Sequence, residues 1–227
     1  MYDALAASAS QTGARLVTGY GLTEACGLIT YSDPDDDRDM MIRSVGRVVG
    51  NCDIRIVDQD RKPVPPGVTG EVAIRGPVMM KGYLNNPAAT AEVFDDEGWY
   101  YSNDLGWMDE TGRLYLSGRR SEMYKTGGEN VFPREVEEAL EAHPAVLFAA
   151  VIGVPDELYN EVGKAFIMLK PGASVTAKEL RAFCKERLAN FKVPKHFDLR
   201  EQLPLLPTGK VDKVALRQEM ENKTEPE

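Results

Sequence analysis

Three stretches of this sequence carry residue types that could do chemistry together. The tail Leu206-Pro207-Thr208-Gly209-Lys210-Val211-Asp212-Lys213 places one lysine after a glycine turn and before a short helical pattern. A lysine so placed can swing as a compact positive charge into an anionic site. On such a turn a lysine is otherwise simply solvent-exposed. Near the start, Gly19-Tyr20-Gly21-Leu22-Thr23-Glu24 joins two glycines, which let backbone approach a ligand closely, to three useful side chains. Tyr20 offers a flat face to a base, Thr23 a hydroxyl to a phosphate oxygen, and Glu24 a hard oxygen to Mg²⁺. The plain alternative is a strand-to-helix turn with Thr23 as its N-cap. Between these, Gly98-Trp99-Tyr100-Tyr101-Ser102-Asn103-Asp104-Leu105-Gly106 presents Asp104. A carboxylate there can accept hydrogen bonds from both hydroxyls of a ribose; unaided, an Asp in a turn is the simpler account. Gly127-Gly128 reads by itself as a hairpin turn.

These residues need elements to hold them. Leu16-Val17-Thr18 predicts a short buried strand leading into the first glycine turn. Asp33-Pro34-Asp35-Asp36-Asp37-Arg38-Asp39 reads as a solvated polar loop rather than a metal site. Cys52 to Val57 alternates with period two, and Glu71 to Arg75 is a second strand closed by Gly76-Pro77. Asp109-Glu110-Thr111-Gly112, between Trp107-Met108 and Leu114-Tyr115-Leu116, predicts a hairpin. Residues 45–117 thus form a strand-rich subdomain. Pro133 opens a helix where its missing N–H costs nothing, with Val136, Ala139 and Leu140 inward and His143-Pro144 as its end. Leu147 to Val154 and Val162 to Leu169 are apolar strands, and Phe197 to Leu199 a third. Thr176-Ala177-Lys178-Glu179 is a capping box before the stripe Leu180, Phe183, Cys184, Leu188. Residues 119–227 therefore predict a small α+β domain with its own core, frayed over Glu221 to Glu227.

Composition narrows the field. With 227 residues, 43% hydrophobic and 28% charged, the chain has the make-up of an ordinary globular protein of one large or two smaller domains. A net charge of −9 argues against a broad nucleic-acid surface but not against a nucleotide, which needs only a few cations and backbone N–H groups. No apolar run approaches the ~18 residues of a membrane span, and Met1 to Leu5 shows no signal-peptide pattern. The three cysteines, Cys26, Cys52 and Cys184, are scattered and odd in number; a disulfide framework is not expected and a reducing cytoplasm fits. The two histidines, His143 and His196, lie far apart, so neither a zinc site nor a Ser-His triad is expected. Gly209-Lys210 lacks the upstream glycine of a Walker A loop.

The order and content of the motifs resemble the adenylate-forming superfamily, the acyl-CoA synthetases and their relatives, from about Leu16 to about Gln218 and over the C-terminal part of such an enzyme only. The resemblance implies a fold of α/β and α+β parts. Residues 1–118 would be the strand-rich end of a large AMP-binding core domain, and 119–227 a mobile C-terminal domain. It implies that Gly19, Tyr20, Gly21 and Thr23 hold AMP, and that Glu24 serves the metal. Asp104 would take the ribose, although Ser102-Asn103-Asp104 stands where the family has Thr-Gly-Asp; Asn tolerates the left-handed backbone such a turn needs. Arg119 resembles the arginine that contacts ribose and phosphate, and Ser121 replaces the family's Asp or Lys hinge. Gly127 and Gly128 resemble the loop beside which the pantetheine arm of coenzyme A enters, and Lys210 the catalytic lysine of adenylation. The implied activity is an acid–CoA ligase of fatty-acid or aryl-acid type, using ATP, Mg²⁺, CoA and a small carboxylic acid. Nothing in the sequence matches the family's Ser/Thr/Gly-rich phosphate loop, so the chain alone is not expected to complete adenylation. Its first 45 residues are expected to expose apolar surface, to move, or to pair with another chain or a missing N-terminal portion. The alternatives are a non-catalytic AMP- or CoA-binding subunit, and an enzyme that passes its acyl group to a carrier protein.

Overall fold

A computed structural model describes residue 9, residues 11–207 and residues 209–224. The Met1–Leu5 start, Thr208 of the tail motif and residues 225–227 lie outside the described residues. The chain divides into two compact units, Met1–Arg120 and Ser121–Glu227.

The first unit opens with two small antiparallel pairs. Strands β1 (Gly21–Leu22) and β2 (Gly27–Leu28) form one, β3 (Thr30–Tyr31) and β4 (Arg47–Val48) the other. Helix α1 (Arg38–Arg43) lies between β3 and β4, capped by the Asp37 side chain, which accepts from the Met40 N–H. The main sheet is a four-stranded antiparallel meander of β5 (Asp53–Val57), β6 (Gly70–Arg75), β7 (Tyr100–Met108) and β8 (Leu114–Arg119). Helix α2 (Pro87–Val93) is inserted between β6 and β7, with Asn86 as N-cap and proline in its first turn. Alternating residues of the sheet fill its core: Ile56, Val72, Ile74, Tyr100 and Leu114 pack with Tyr20, Ala25 and Ile29.

The second unit is α+β. Its strands are β9 (Tyr124–Thr126), β10 (Glu129–Val131), β11 (Val146–Asp156), β12 (Asn160–Leu169) and β13 (His196–Arg200), joined in one five-stranded sheet. β11 and β12 form a long antiparallel hairpin, and β13 adds to β12 in parallel. Helices α3 (Pro133–Glu141) and α4 (Ala177–Lys185) cover one face through Val136, Leu140, Leu180 and Cys184, all fully buried with Val151, Ala165 and Ile167. The Thr176–Glu179 capping box of α4 is formed in both directions. Helix α5 (Lys213–Thr224) seals a second cluster through Leu216, against Ala150, Ile152, Phe166 and Leu203.

Four expectations change. Leu16 to Thr18 is not a strand and Val17 is 41% exposed; Thr18 is held instead by Ser32, whose hydroxyl accepts the Thr18 N–H and whose N–H donates to the Thr18 carbonyl. The acidic run 33–39 is not merely a solvated loop. Asp36 is buried against Arg113 in a bidentate ion pair, and Asp37 starts α1. Glu221 to Thr224 continues α5 rather than fraying. Thr23 is not an N-cap: the cap of the 3-10 turn Thr23–Ala25 is Leu22, and no side chain bonds it. The cysteines are free thiols, and among the described residues no helix is long and apolar enough to cross a membrane. Leu28, Tyr31 and Ile42 are exposed apolar residues of the first unit.

Candidate functional site

The first unit brings two of the expected residues, Tyr20 and Arg119, to the carboxylate of a third, Asp104. The Tyr20 hydroxyl donates to Asp104 Oδ2 at 2.5 Å, across 84 positions of sequence. The Arg119 Nε lies 3.2 Å from Asp104 Oδ1, because β7 and β8 pair these two residues directly. Each carboxylate oxygen has a donor, yet the pair of oxygens carries about four lone-pair directions, so acceptor capacity for two ribose hydroxyls remains. The Asp104 side chain is 16% exposed and that of Arg119 63%. Burial and the Asp104 charge both push the Tyr20 phenol well above the usual tyrosine range, so Tyr20 acts here as a donor.

Asp104 reaches this place through a bulge. The β6–β7 register slips between Glu71 and Ala73, opposite Leu105 and Tyr101. The extra residues include Asn103, which adopts a left-handed φ of 63°. Glu71 fills the bulge: its carboxylate accepts the Asn103 N–H at 2.8 Å and pairs with Arg120 at 2.9 Å. The Ser102 hydroxyl donates to the Val72 carbonyl and accepts the Asp104 N–H. Bulges of this kind re-aim a side chain next to a site. Sequence reasoning passed over Glu71, although a carboxylate among Gly70, Val72, Ala73 and Ile74 was a visible anomaly.

The segment around Tyr20 works differently from expectation. Tyr20 is 7% exposed, its ring is part of the core, and it meets the site by its hydroxyl. The two glycines are required by neighbouring strands. A Cβ on Gly19 would sit 2.4 Å from the Thr30 carbonyl oxygen, and one on Gly21 2.1 Å from that of Gly27. Thr23 is exposed. Glu24 accepts the Tyr83 hydroxyl at 3.0 Å, and its backbone carbonyl accepts the Met80 N–H; Tyr83 was not anticipated. Among the described residues no group of three or more His, Cys, Asp or Glu side chains could hold a metal alone. One carboxylate oxygen fits Mg²⁺ only in the usual nucleotide manner, with water and substrate phosphates as its other ligands.

The remaining candidates belong to the second unit or to its start. Ser121 lies in the 3-10 turn Arg120–Glu122, at the division between the units, and its carbonyl accepts from Arg217 at 3.3 Å. Gly127 (φ 58°) and Gly128 (φ 90°) form the two-residue loop between β9 and β10, the left-handed pair that a tight hairpin requires. A Cβ on Gly127 would lie 3.2 Å from the Tyr159 ring, whereas nothing lies within 4 Å of one on Gly128. Lys210 is exposed on a turn whose ends are pinned. Leu205 bridges Val211, the Leu206 N–H donates to the Lys210 carbonyl, and the Asp212 N–H donates to that of Pro204.

Residues 1–84 match the family described as AMP-binding enzyme, and residues 135–210 match the AMP-binding enzyme C-terminal domain. A methyl-dioxo-octahydroindenyl-propanoyl:CoA ligase of Rhodococcus jostii is 42% identical over 90% of this chain and 38% of its own length. The medium-chain fatty-acid–CoA ligase of Escherichia coli is 38% identical over 95% of this chain and 38% of its own. Among solved structures, o-succinylbenzoate CoA synthetase of Bacillus subtilis in complex with its acyl-adenylate intermediate superposes with a TM-score of 0.84 at 35% identity, over 92% of this chain and 42% of that one. The same enzyme in complex with ATP and magnesium ion superposes at 0.83. The chain spans about two fifths of the length of the curated relatives it matches. It belongs to the AMP-binding, adenylate-forming enzyme family and matches the C-terminal part of it.

Proposed function

We propose that this chain supplies the adenylate-holding turns and the catalytic lysine of an acid–CoA ligase acting on a fatty or aryl acid. In the first half-reaction a carboxylate oxygen attacks the α-phosphorus of ATP and pyrophosphate leaves, giving acyl-AMP. In the second the thiol of CoA attacks the acyl carbon, its proton is lost, and AMP leaves. Asp104 accepts the ribose hydroxyls while Tyr20 and Arg119 fix its carboxylate. Arg119, the more exposed of the two partners, also faces phosphate charge, and Gly19, Gly21 and Thr23 shape the adenylate turn. Lys210 offsets the negative charge that builds between acid and α-phosphate. Mg²⁺, when bound, neutralises phosphate charge, with Glu24 as its protein oxygen. Ser121 is the hinge of a mobile second unit, and Gly127 and Gly128 admit the pantetheine arm. We place the protein in the cytoplasm, where its free thiols would persist.

The observation that supports this reading is the convergence of Tyr20 and Arg119 on the Asp104 carboxylate, which leaves a half-buried acceptor with an exposed cation beside it. Calorimetric titration with AMP tests it. AMP binds the protein, and Asp104→Ala weakens binding by about tenfold or more, the loss of two hydroxyl contacts to a charged acceptor. No binding by the parent, or equal binding by the variant, overturns the reading.

A further inference from the structure

The second unit holds a buried ion cluster that none of the assigned roles uses. The Lys213 ammonium lies between two carboxylates, hydrogen-bonded to Glu122 and 2.8 Å from Glu137 Oε1. The Lys213 side chain is 16% exposed and that of Glu137 only 5%. Glu137 also accepts the Val151 N–H at 2.8 Å, which fixes its carboxylate to β11. Lys213 is the first residue of α5 and follows Lys210 by three positions. Glu122 closes the 3-10 turn at which the second unit begins. One turn further along α5, Arg217 donates to the Ser121 carbonyl. Among the described residues of the Lys210 turn, the Leu206, Gly209 and Asp212 amides bond within the turn and to its base, at the Lys210, Leu206 and Pro204 carbonyls. The base is attached to the rest of the unit through the apolar side chains of Leu203, Val211 and Leu216, through the Asp212 carboxylate, which accepts the Val214 and Ala215 N–H groups, and through the Lys213 ammonium.

We propose that Lys213 is a positioning residue, whose ammonium locks the Lys210 turn to the Ser121–Glu122 segment so that the two move as one piece. A buried charge held by two carboxylates is a directional fastening. Its removal costs more than a surface pair would, because Glu137 is then left charged and unpaired. Leu203, Val211 and Leu216 give apolar burial, which is not directional, whereas the ammonium and its two carboxylates fix the angle of the helix start. The significance of this fastening rests on the assignment of Lys210 to adenylation: a lysine that must meet a developing charge needs a turn that does not drift when its unit moves. The fastening itself does not depend on that assignment.

Hydrogen–deuterium exchange on the full chain, resolved over residues 203–216, tests the proposal without any activity. Lys213→Met alone strands the Glu137 charge, so the decisive variant is Lys213→Met combined with Glu137→Gln, which removes the stranded charge as well as the tie. In that variant the Leu206 and Asp212 amides exchange about tenfold faster than in the parent, as expected from losing hydrogen bonds to charged groups, while the β12 amides and the β11 amides other than Val151, whose N–H bonds to residue 137, exchange at the parent rate. Glu122→Gln, which weakens one arm only, gives a smaller acceleration at the same amides, and Lys213→Arg restores most of their protection. Parent-like exchange at Leu206 and Asp212 in the double variant overturns the proposal. So does acceleration spread evenly through the unit, because Lys213 would then be an ordinary stabilising charge. If AMP fails to bind, the proposed function falls while this exchange pattern still decides the role of Lys213.

Discussion

Replacing Tyr20 with Phe removes one oxygen and leaves the ring, which makes it a clean probe of the site. The ring stays in its cluster with Ala25, Ile29, Ile56, Ile74 and Leu114, so the apolar contribution is kept. What is lost is a 2.5 Å hydrogen bond to a carboxylate that is 16% exposed. Hydrogen bonds to charged groups contribute roughly 1.5–3 kcal/mol, so Tyr20→Phe should destabilise the first unit by about 2 kcal/mol at neutral pH. With a urea m value of about 2 kcal/mol/M, the midpoint falls by about 1 M. Both tryptophans, Trp99 and Trp107, lie in the first unit, so intrinsic fluorescence follows that unit's unfolding. Asp104 loses the donor that orients Oδ2, and AMP affinity falls in step by about tenfold. The pH dependence gives a second check. Burial and Asp104 raise the Tyr20 pKa, so the folded form keeps this proton to higher pH than the unfolded chain does. The stability it contributes is complete below about pH 10 and declines as pH rises beyond it. Tyr20→Phe removes that share of the alkaline decline; Tyr100, raised by burial as well, keeps its own. A variant with the parent's midpoint and the parent's AMP affinity would refute the claim that this hydrogen bond organises the site.

Other perturbations have equally definite outcomes. Asp36→Asn leaves Arg113, itself 10% exposed, without its anionic partner, and should cost the first unit about 3–5 kcal/mol by urea unfolding. Since the Arg113 hydrogen bonds lower the Asp36 pKa, the stability Asp36 contributes is present above the usual carboxylate range and lost as pH falls through the folded value. The parent's unfolding free energy therefore drops below about pH 4, and the variant lacks that share of the drop. Gly21→Ala drives a Cβ into the Gly27 carbonyl and should destabilise the first unit by about 3 kcal/mol, with AMP binding lost alongside. In any form of the protein that makes acyl-AMP, Lys210→Ala should slow that step by about a hundredfold or more while AMP binds as before.

Much of this was legible because local rules and motif order agreed. The Thr176–Glu179 capping box, Pro133 at a helix start and the turn at Asp109–Gly112 each specify their element within a few residues, and each appears where the pattern put it. Asn103 was readable in the same way: its type suits the left-handed backbone it adopts. Long-range pairing was not legible. Nothing near Asp36 announces Arg113, and nothing in Leu16-Val17-Thr18 says that the Thr18 backbone will bond to Ser32 rather than form a strand. Tyr20 misled for a related reason. A tyrosine between glycines suggests an open ring, but the glycines answer to the Thr30 and Gly27 carbonyls, and the ring is drawn into the core. Short helices such as Arg38–Arg43 depend on one cap and carry too few turns for a periodic signal.

The central claim is that the Asp104 carboxylate receives a ribose. The most direct measurement is a calorimetric cycle with the parent and Asp104→Ala, each titrated with AMP and with dideoxy-AMP, which lacks both ribose hydroxyls. The parent is expected to prefer AMP by about tenfold, and the variant to bind the two nucleotides alike. A parent indifferent to the hydroxyls, or a variant that still distinguishes them as the parent does, would contradict the claim.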